Sequence, residues 1–380
     1  MRESAILNHA ARVLDSLPPG APADAALRRY LEGPRLGAAE KRAVSQAVFA
    51  NFRWLGWLDQ ASSTQKRVEQ ALELQERFDA DPSSVKAEAL AARAVPGWLA
   101  SEMEPGPEYL RQLQRPPALW IRGRPGKASG LAAALGGCEP PDLSAHLAAP
   151  ADLAALRYRG ESDLFLTPQF RSGEFEIQDL SSQLVGHACA PVAGETWWDA
   201  CAGEGGKTLH LSDLMRNKGM IWATDRSARR LAVLRRRAAR AGAFNYRVSE
   251  WGGGAPPLLA RFDGVLLDAP CSGVGTWQRN PHARWTVTPR DVAELAGIQL
   301  RLLRSAAAAL KPGGRLVYSV CTLTRSETVA VAKAFAADHP GFVPIPLPIA
   351  PAGTEAGQLT LWPQEINANG MFIACWKRPL

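Results

Sequence analysis

Two cysteines stand where a loop thiol could do chemistry. Cys271 lies in "DAPCSG" (268–273) and Cys321 in "YSVCTLTRSE" (318–327), each just past a run that reads as a strand. A loop thiol beside a helix N-terminus or basic side chains can have its pKa lowered, and the thiolate is the reactive nucleophile. Either cysteine alone could be inert. Two of them at neighbouring strand tips would face one pocket, and spacing does not decide which one attacks.

A third stretch, "DACAGEGGKT" (199–208), places a Gly-rich turn after another strand. A phosphate loop would need Gly five residues before Gly206, where Cys201 stands instead. In the dinucleotide fingerprint Gly203 and Gly205 fit, but the third position is Thr208. Asp225 ends the next strand about twenty residues on, the place where a carboxylate commonly accepts from a ribose diol. A Gly-rich turn, a ribose-binding carboxylate and no phosphate cradle describe a nucleoside cofactor without pyrophosphate. S-adenosylmethionine fits that description.

These residues need a scaffold that gathers strand ends. From residue 175 to 380 strands and helices alternate, the pattern of a parallel sheet. The strands are "TWWDAC", "MIWATD", a weak "YRVSE", "FDGVLLDAP", "RLVYSV" and "GMFIACWK". Helix "PRDVAELAGIQLRLLRSAAAAL" is expected to stop at a Gly-rich cap, "KPGG". Ligands of such sheets sit beyond the carboxyl ends of the strands, where Cys201, Asp225, Asp268, Cys271 and Cys321 all fall. Residues 1–104 read as helices, with Ile6, Ala10, Val13, Leu14 and Leu17 on one face and Val44, Val48, Phe52 and Leu55 on another. Residues 105–174 are mixed, with a strand-like "PPALWIRGRPGK" before a helical "ASGLAAALGG", and read as a small α/β module.

Bulk composition narrows the class. At 380 residues, 46% hydrophobic and 21% charged, the chain is an ordinary globular protein rather than a disordered one. No apolar run reaches membrane-span length and the N-terminus lacks a signal peptide's apolar block, so a cytoplasmic, membrane-free protein is expected. A net charge of +7 is compatible with a polyanionic partner and equally with a high-GC genome that favours Arg. The six cysteines contain no C-x-x-C pair, so no metal site is expected and the thiols should be free. Cys138, Cys189 and Cys375 read as buried small hydrophobes.

Together the motifs resemble those of the RNA cytosine-C5 methyltransferases of the RsmB/Sun (NOL/NSUN) type. "DACAGEGGKT" is similar to the family's D-x-C-A-x-x-G-G-K-T, "DAPCSGVGTWQRNP" to its D-A-P-C-S-G loop, and "YSVCTLTRSE" to its Y-S-T-C-S-x-x-x-x-E-N. "FEIQDLSSQLV" resembles its V-Q-D-x-x-S entry segment. Gly203 and Glu204 replace the usual Ala-Pro, Val320 the usual Thr, Thr328 the usual Asn, and Glu250 stands for the usual Asp after the third strand. The resemblance implies a Rossmann-like S-adenosylmethionine-dependent domain preceded by a NusB-like bundle and a small RNA-binding module. It implies Cys321 as nucleophile, Cys271 as the helper in release and Asp268 bonding the base near N3. It also implies cofactor contacts from Cys201, Ala202, Gly203, Glu204, Gly205, Gly206, Lys207, Asp225, Glu250 and Asp268.

The resemblance implies an RNA partner, most naturally ribosomal RNA, and a monomer is expected. Arg279 and Arg284, directly after the Cys271 loop and so beside the chemistry, are the candidate RNA contacts, with Arg122 a further one. The helix after Asp225 adds Arg226, Arg229, Arg230, Arg235, Arg236, Arg237 and Arg240, and Trp277 and Trp285 could stack on bases or simply pack. Two other readings stay open: a DNA cytosine methyltransferase using Pro270-Cys271, and an inactive RNA-binding paralogue. A zinc deaminase would need H-x-E with P-C-x-x-C, and neither occurs.

Overall fold

Helical periodicity in the first hundred residues and strand–helix alternation after them each produce a core of their own. The computed structural model describes residues 3–18, 20–351, 354 and 357–380. Met1 and Arg2 of the N-terminal segment, and Pro19 of the "LPPGAP" break, lie outside the described residues. The chain divides into two compact units, residues 1–117 with 273–289, and residues 118–272 with 290–380.

The first unit is helical. Helices Glu3–Asp15, Ala38–Arg53 and Thr64–Ala80 pack on one another. Ala10, Val13, Val44 and Val48 are fully buried between them, the stripes that periodicity marks. Ser63 caps the third of these helices, its hydroxyl accepting from the Lys66 N–H. Residues 273–289, far away in sequence, belong to this unit; Trp285 packs on its core and donates from Nε1 to the Phe52 carbonyl at 2.7 Å.

The second unit holds two sheets. Strands β1 (Leu119–Gly123), β2 (Cys138–Glu139), β3 (Ala155–Tyr158) and β4 (Phe175–Ile177) form an antiparallel sheet in the order β2-β3-β1-β4. The larger sheet comprises β5 (Thr196–Asp199), β6 (Met220–Asp225), β7 (Tyr246–Glu250), β8 (Phe262–Asp268), β9 (Leu310–Val320), β10 (Val343–Pro344), β11 (Gln358–Leu361) and β12 (Met371–Lys377). Its order is β7-β6-β5-β8-β9-β12-β10, with β11 also on β12. Strands β5 to β9 run parallel and β12 returns antiparallel to β9. Trp120 of β1 shares a core with Leu184, Trp197 and Leu266 and donates to the Asn367 carbonyl at 2.9 Å, so the small sheet is built into this unit. The compact units therefore cut the chain elsewhere than the pattern boundaries at 104 and 174.

One local expectation is corrected. The segment "KPGG" does not cap the helix: helix Pro289–Ala309 passes straight into β9 at Leu310. Phe262 pairs with Leu310 and Gly264 with Arg315, so residues 311–314 bulge out of the ladder, with Gly313 at φ +75°. The missing Pro donor and the left-handed Gly suit a bulge as well as a cap.

Candidate functional site

Strand order reverses at β5, whose neighbours β6 and β8 lead the chain away in opposite directions, and ligands of open sheets settle at such a switch point. The carboxyl ends of β5, β6, β8 and β9 carry the residues in question.

After β5 the chain makes the turn of residues 200–205 and enters helix Gly206–Leu214. Gly203 and Gly205 have φ of +56° and +87°, a region that disfavours side chains. A Cβ on Gly205 would also stand 2.6 Å from Leu234 Cγ. The Ala202 N–H donates to the Thr224 carbonyl at 2.8 Å, and the Gly203 N–H to Asp225 Oδ2 at 3.0 Å. Asp225 Oδ1 accepts from the Ser227 N–H at 2.9 Å. Each carboxylate oxygen has a second lone pair, so Asp225 can brace the turn and still accept from a diol. Glu204 is exposed, and so is Glu250 at the end of the edge strand, opposite Asp225 in register.

Lys207, in the first turn of that helix, is the link between this turn and the thiols. Its Nζ donates to Asp268 Oδ2 at 2.6 Å, while Ser319 Oγ donates to Asp268 Oδ1 at 2.8 Å. Burial opposes the charge on Lys207, but the Asp268 carboxylate outweighs it and its pKa is raised. Cys271 Sγ and Cys321 Sγ lie 3.3 Å apart. The Cys321 thiol is pulled below the ordinary thiol range, chiefly by its hydrogen bond with Cys271, with Lys207 helping and burial and Asp268 opposing. Burial, by contrast, pushes Cys201 up, as it does Cys189 and Cys375, which fits inert packed thiols. Behind the turn, burial raises the Asp199 carboxyl to about 7 while Thr208 Oγ1 donates to it at 2.6 Å.

Cys201, Ala202, Gly203, Gly205, Gly206, Lys207, Asp225, Asp268, Cys271 and Cys321 thus all lie at the carboxyl ends of adjacent strands. Lys207 as the partner of Asp268 is not legible in the sequence, which offers it within a Gly-Gly-Lys-Thr run and, by resemblance, as a cofactor contact. Glu327, visible in the sequence as the final residue of "YSVCTLTRSE", is wholly buried beneath the two cysteine loops.

The expected RNA contacts divide. Arg122, on β1, is 2% exposed and donates to Gln178 Oε1 and Asp213. Arg284 is wholly buried and donates to main-chain carbonyls of the helical unit. Both side chains are interior and engaged by protein partners rather than laid out on the surface, so neither is carried forward as a phosphate contact. Long basic side chains are seldom buried without partners, and sequence alone does not reveal those partners. Trp277 is also fully buried, which removes it as a stacking platform, and Trp285 is half-buried with its Nε1 engaged. Arg279 is exposed, as are Arg226, Arg229, Arg230, Arg235 and Arg236. Arg237 and Arg240 instead turn inward onto buried Glu176. Among the described residues no group of His, Cys, Asp and Glu could hold a metal ion.

A lowered Cys321 pKa has a direct consequence. Below the ordinary thiol range Cys321 carries more thiolate than a free cysteine, so iodoacetamide should alkylate it faster at neutral pH than it alkylates a model thiol. Lys207→Met removes the nearby cation, and each unit of upward shift cuts the thiolate fraction about tenfold. Mass-resolved alkylation across pH measures this; an unchanged profile would discard the role of Lys207.

The model of the family described as 16S rRNA methyltransferase RsmB/F matches residues 187–377. A curated relative in Bacillus subtilis, a probable ribosomal RNA small subunit methyltransferase B, is 37% identical over 219 residues, covering 55% of this chain and 49% of the relative. The chain spans about half the length of the curated relatives it matches. The crystal structure of PH0851 superposes with a TM-score of 0.78 at 22% identity, covering 100% of this chain and 99% of that one. NSun6 from Pyrococcus horikoshii with SFG gives 0.53 at 27% identity over 60% of this chain and 58% of that one.

Proposed function

Because this chain belongs to the RsmB/F family of 16S rRNA methyltransferases, we propose that it methylates C5 of a cytosine in RNA, small-subunit ribosomal RNA being the substrate class, through a covalent bond from Cys321 to C6. The cofactor is S-adenosylmethionine. The turn fits it: Gly203 and Gly205 leave the backbone bare, and Asp225 keeps acceptor capacity for a ribose diol. Residues Cys201 to Lys207, Asp225 and Asp268 would hold it, with Glu250 a further proposed contact. When bound, it supplies an electrophilic methyl group.

The observation that carries the reading is the pair of thiols 3.3 Å apart beside the Lys207–Asp268 ion pair. Cytosine C5 is a poor nucleophile until a thiolate adds to C6, which moves electron density to C5. Cys321 supplies that thiolate, helped by its lowered pKa. Asp268 bonds the base near N3, held in orientation by Lys207 and Ser319. After C5 is methylated its proton must leave so that the C6–S bond can break, and Cys271 aids that release. The base reaches such a pocket only after leaving its stack.

The helical segment 1–104 is proposed as NusB-like and 105–174 as an RNA-binding module, in a cytoplasmic monomer. Among the described residues no helix is long and apolar enough to cross a membrane. Arg279 and the exposed arginines of helix Ala228–Arg240 are the proposed phosphate contacts. Binding should weaken steeply with salt as counterions are released, and a salt-independent affinity would leave the basic surface merely solvated. The deciding experiment is bisulfite sequencing of unmodified small-subunit RNA incubated with protein and S-adenosylmethionine. One protected cytosine is expected; methylation at another base or atom would overturn the assignment.

A further inference from the structure

Both cysteine loops converge on one side chain. Glu327 is 0% exposed, and its carboxylate gathers donors from three separate parts of the chain. Oε1 accepts from the Ser272 N–H at 2.8 Å and from Gln299 Nε2 at 2.9 Å. Oε2 faces three hydroxyls: Ser272, Thr324 at 2.8 Å and Thr322 at 3.2 Å. Ser272 directly follows Cys271, and Thr322 directly follows Cys321. Gln299 also donates to the Pro270 carbonyl at 2.9 Å, and Tyr318 Oη donates to the Glu327 carbonyl at 2.6 Å. No Lys or Arg pairs with this carboxylate among the described ion pairs, so the hydrogen bonds alone satisfy it.

We propose that Glu327 is a positioning residue: from beneath the site it ties the loop after β8 to the loop after β9 and thereby sets the distance between Cys271 and Cys321. Both loops would otherwise be free to splay, because the parallel ladder joining β8 to β9 ends at Asp268 and Ser319. Beyond that point the shared carboxylate and the Ser272–Thr322 hydroxyl contact of 2.9 Å bridge the two loops. A fully satisfied buried network of this kind holds one arrangement, since any departure strands a polar group away from water. The proposal rests on the two-thiol reading of the site.

Its distinctive consequence concerns charge. At Glu327→Gln the amide oxygen can replace Oε1 toward the two N–H donors, and the amide nitrogen can replace Oε2, where hydroxyls rotate to accept. The tie survives without a charge. Glu327→Ala removes it altogether.

The test uses phenylarsine oxide, which condenses with two thiols to form two As–S bonds and water and therefore reports their proximity without RNA or cofactor. The Cys271→Ser/Cys321→Ser double variant supplies the background from other thiols. In Glu327→Ala the two-thiol complex should weaken about 100-fold, as one-site capture replaces two-site capture. Its kcat should fall about 100-fold, the cost of a displaced reacting group, with KM for RNA unchanged. Glu327→Gln should restore both. Thr324→Val, which leaves the carboxylate and removes one donor, should give an intermediate loss and decides the matter if Glu327→Ala does not fold. Wild-type arsenical binding in both Glu327→Ala and Thr324→Val would overturn the proposal. A Glu327→Gln protein as impaired as Glu327→Ala would do so too, since the charge and not the tie would then be at work. Should the wild-type protein fail to methylate RNA, the arsenical measurements still judge Glu327 separately.

Discussion

Cys271→Ala is expected to leave the protein joined to its RNA in a complex that survives denaturing gels. On the proposed mechanism two nearly touching sulfurs, 3.3 Å apart, have unequal duties. If Cys321 attacks C6, the variant keeps its nucleophile and still methylates C5. It lacks the group that aids loss of the C5 proton, so the C6–S bond persists. Turnover should fall about 10²–10⁴-fold, the usual worth of a positioned acid–base group. Cys321→Ala should form no adduct and lose methylation outright, and the double variant should show no complex, because trapping requires the nucleophile. Overproduced Cys271→Ala protein should be toxic, since each molecule removes one substrate. An adduct from Cys321→Ala and none from Cys271→Ala would reverse the roles, in the manner of a Pro-Cys nucleophile at Pro270-Cys271.

The Cys321 thiol is lowered chiefly by its hydrogen bond with Cys271 itself. Removing Cys271 thus withdraws part of the activation as well as the helper. A slower first step in Cys271→Ala, seen as slower adduct formation with adduct yield intact, is the expected mark of that coupling.

The strand ends are legible because their signals are local. A Gly-rich turn, an Asp some twenty residues later and a Cys just past an apolar run each report a backbone event within a few residues. A parallel sheet then follows from alternation, and the site from the carboxyl ends. What stays hidden depends on partners remote in sequence. Lys207 meets Asp268 across 61 residues, and Ser272 meets Glu327 across 55. Arg122 reads as a basic residue in a strand and says nothing about Asp213, which lies 91 residues on. The segment 273–289 follows directly on the Cys271 loop, and proximity in sequence casts its arginines and tryptophans as RNA contacts. It belongs instead to the helical unit, whose core its own residues complete. Charge read along a sequence gives a side chain's type; only its surroundings in the fold tell whether it faces phosphate or carbonyl.

Arg284 makes that difference measurable. Its side chain is 0% exposed, and its guanidinium donates to the carbonyls of Ala94 at 2.9 Å and Leu113 at 3.0 Å, with longer contacts of 3.4 Å to Arg53 and Trp277. These carbonyls come from separate elements of the helical unit, so one planar fork pins residues 273–289 to three other segments. Burial pulls its pKa down to about 9, and no carboxylate is among the causes of the shift, so the charge is held by peptide dipoles. Arg284→Ala leaves several buried carbonyls unsatisfied and a cavity beside them, and should destabilise the unit by about 3–5 kcal/mol. Arg284→Lys cannot reproduce the fork and should recover only part of the loss. Urea unfolding followed by tryptophan fluorescence reads this through Trp54, Trp57, Trp98, Trp277 and Trp285, which all belong to that unit. The salt dependence of RNA binding supplies the opposing measurement. Removing an arginine that pairs with one phosphate would make the log–log salt slope shallower by about 0.7–0.9, whereas removing a structural arginine leaves the slope unchanged in protein that remains folded. A variant as stable as the wild type but with the shallower slope would return Arg284 to the RNA surface.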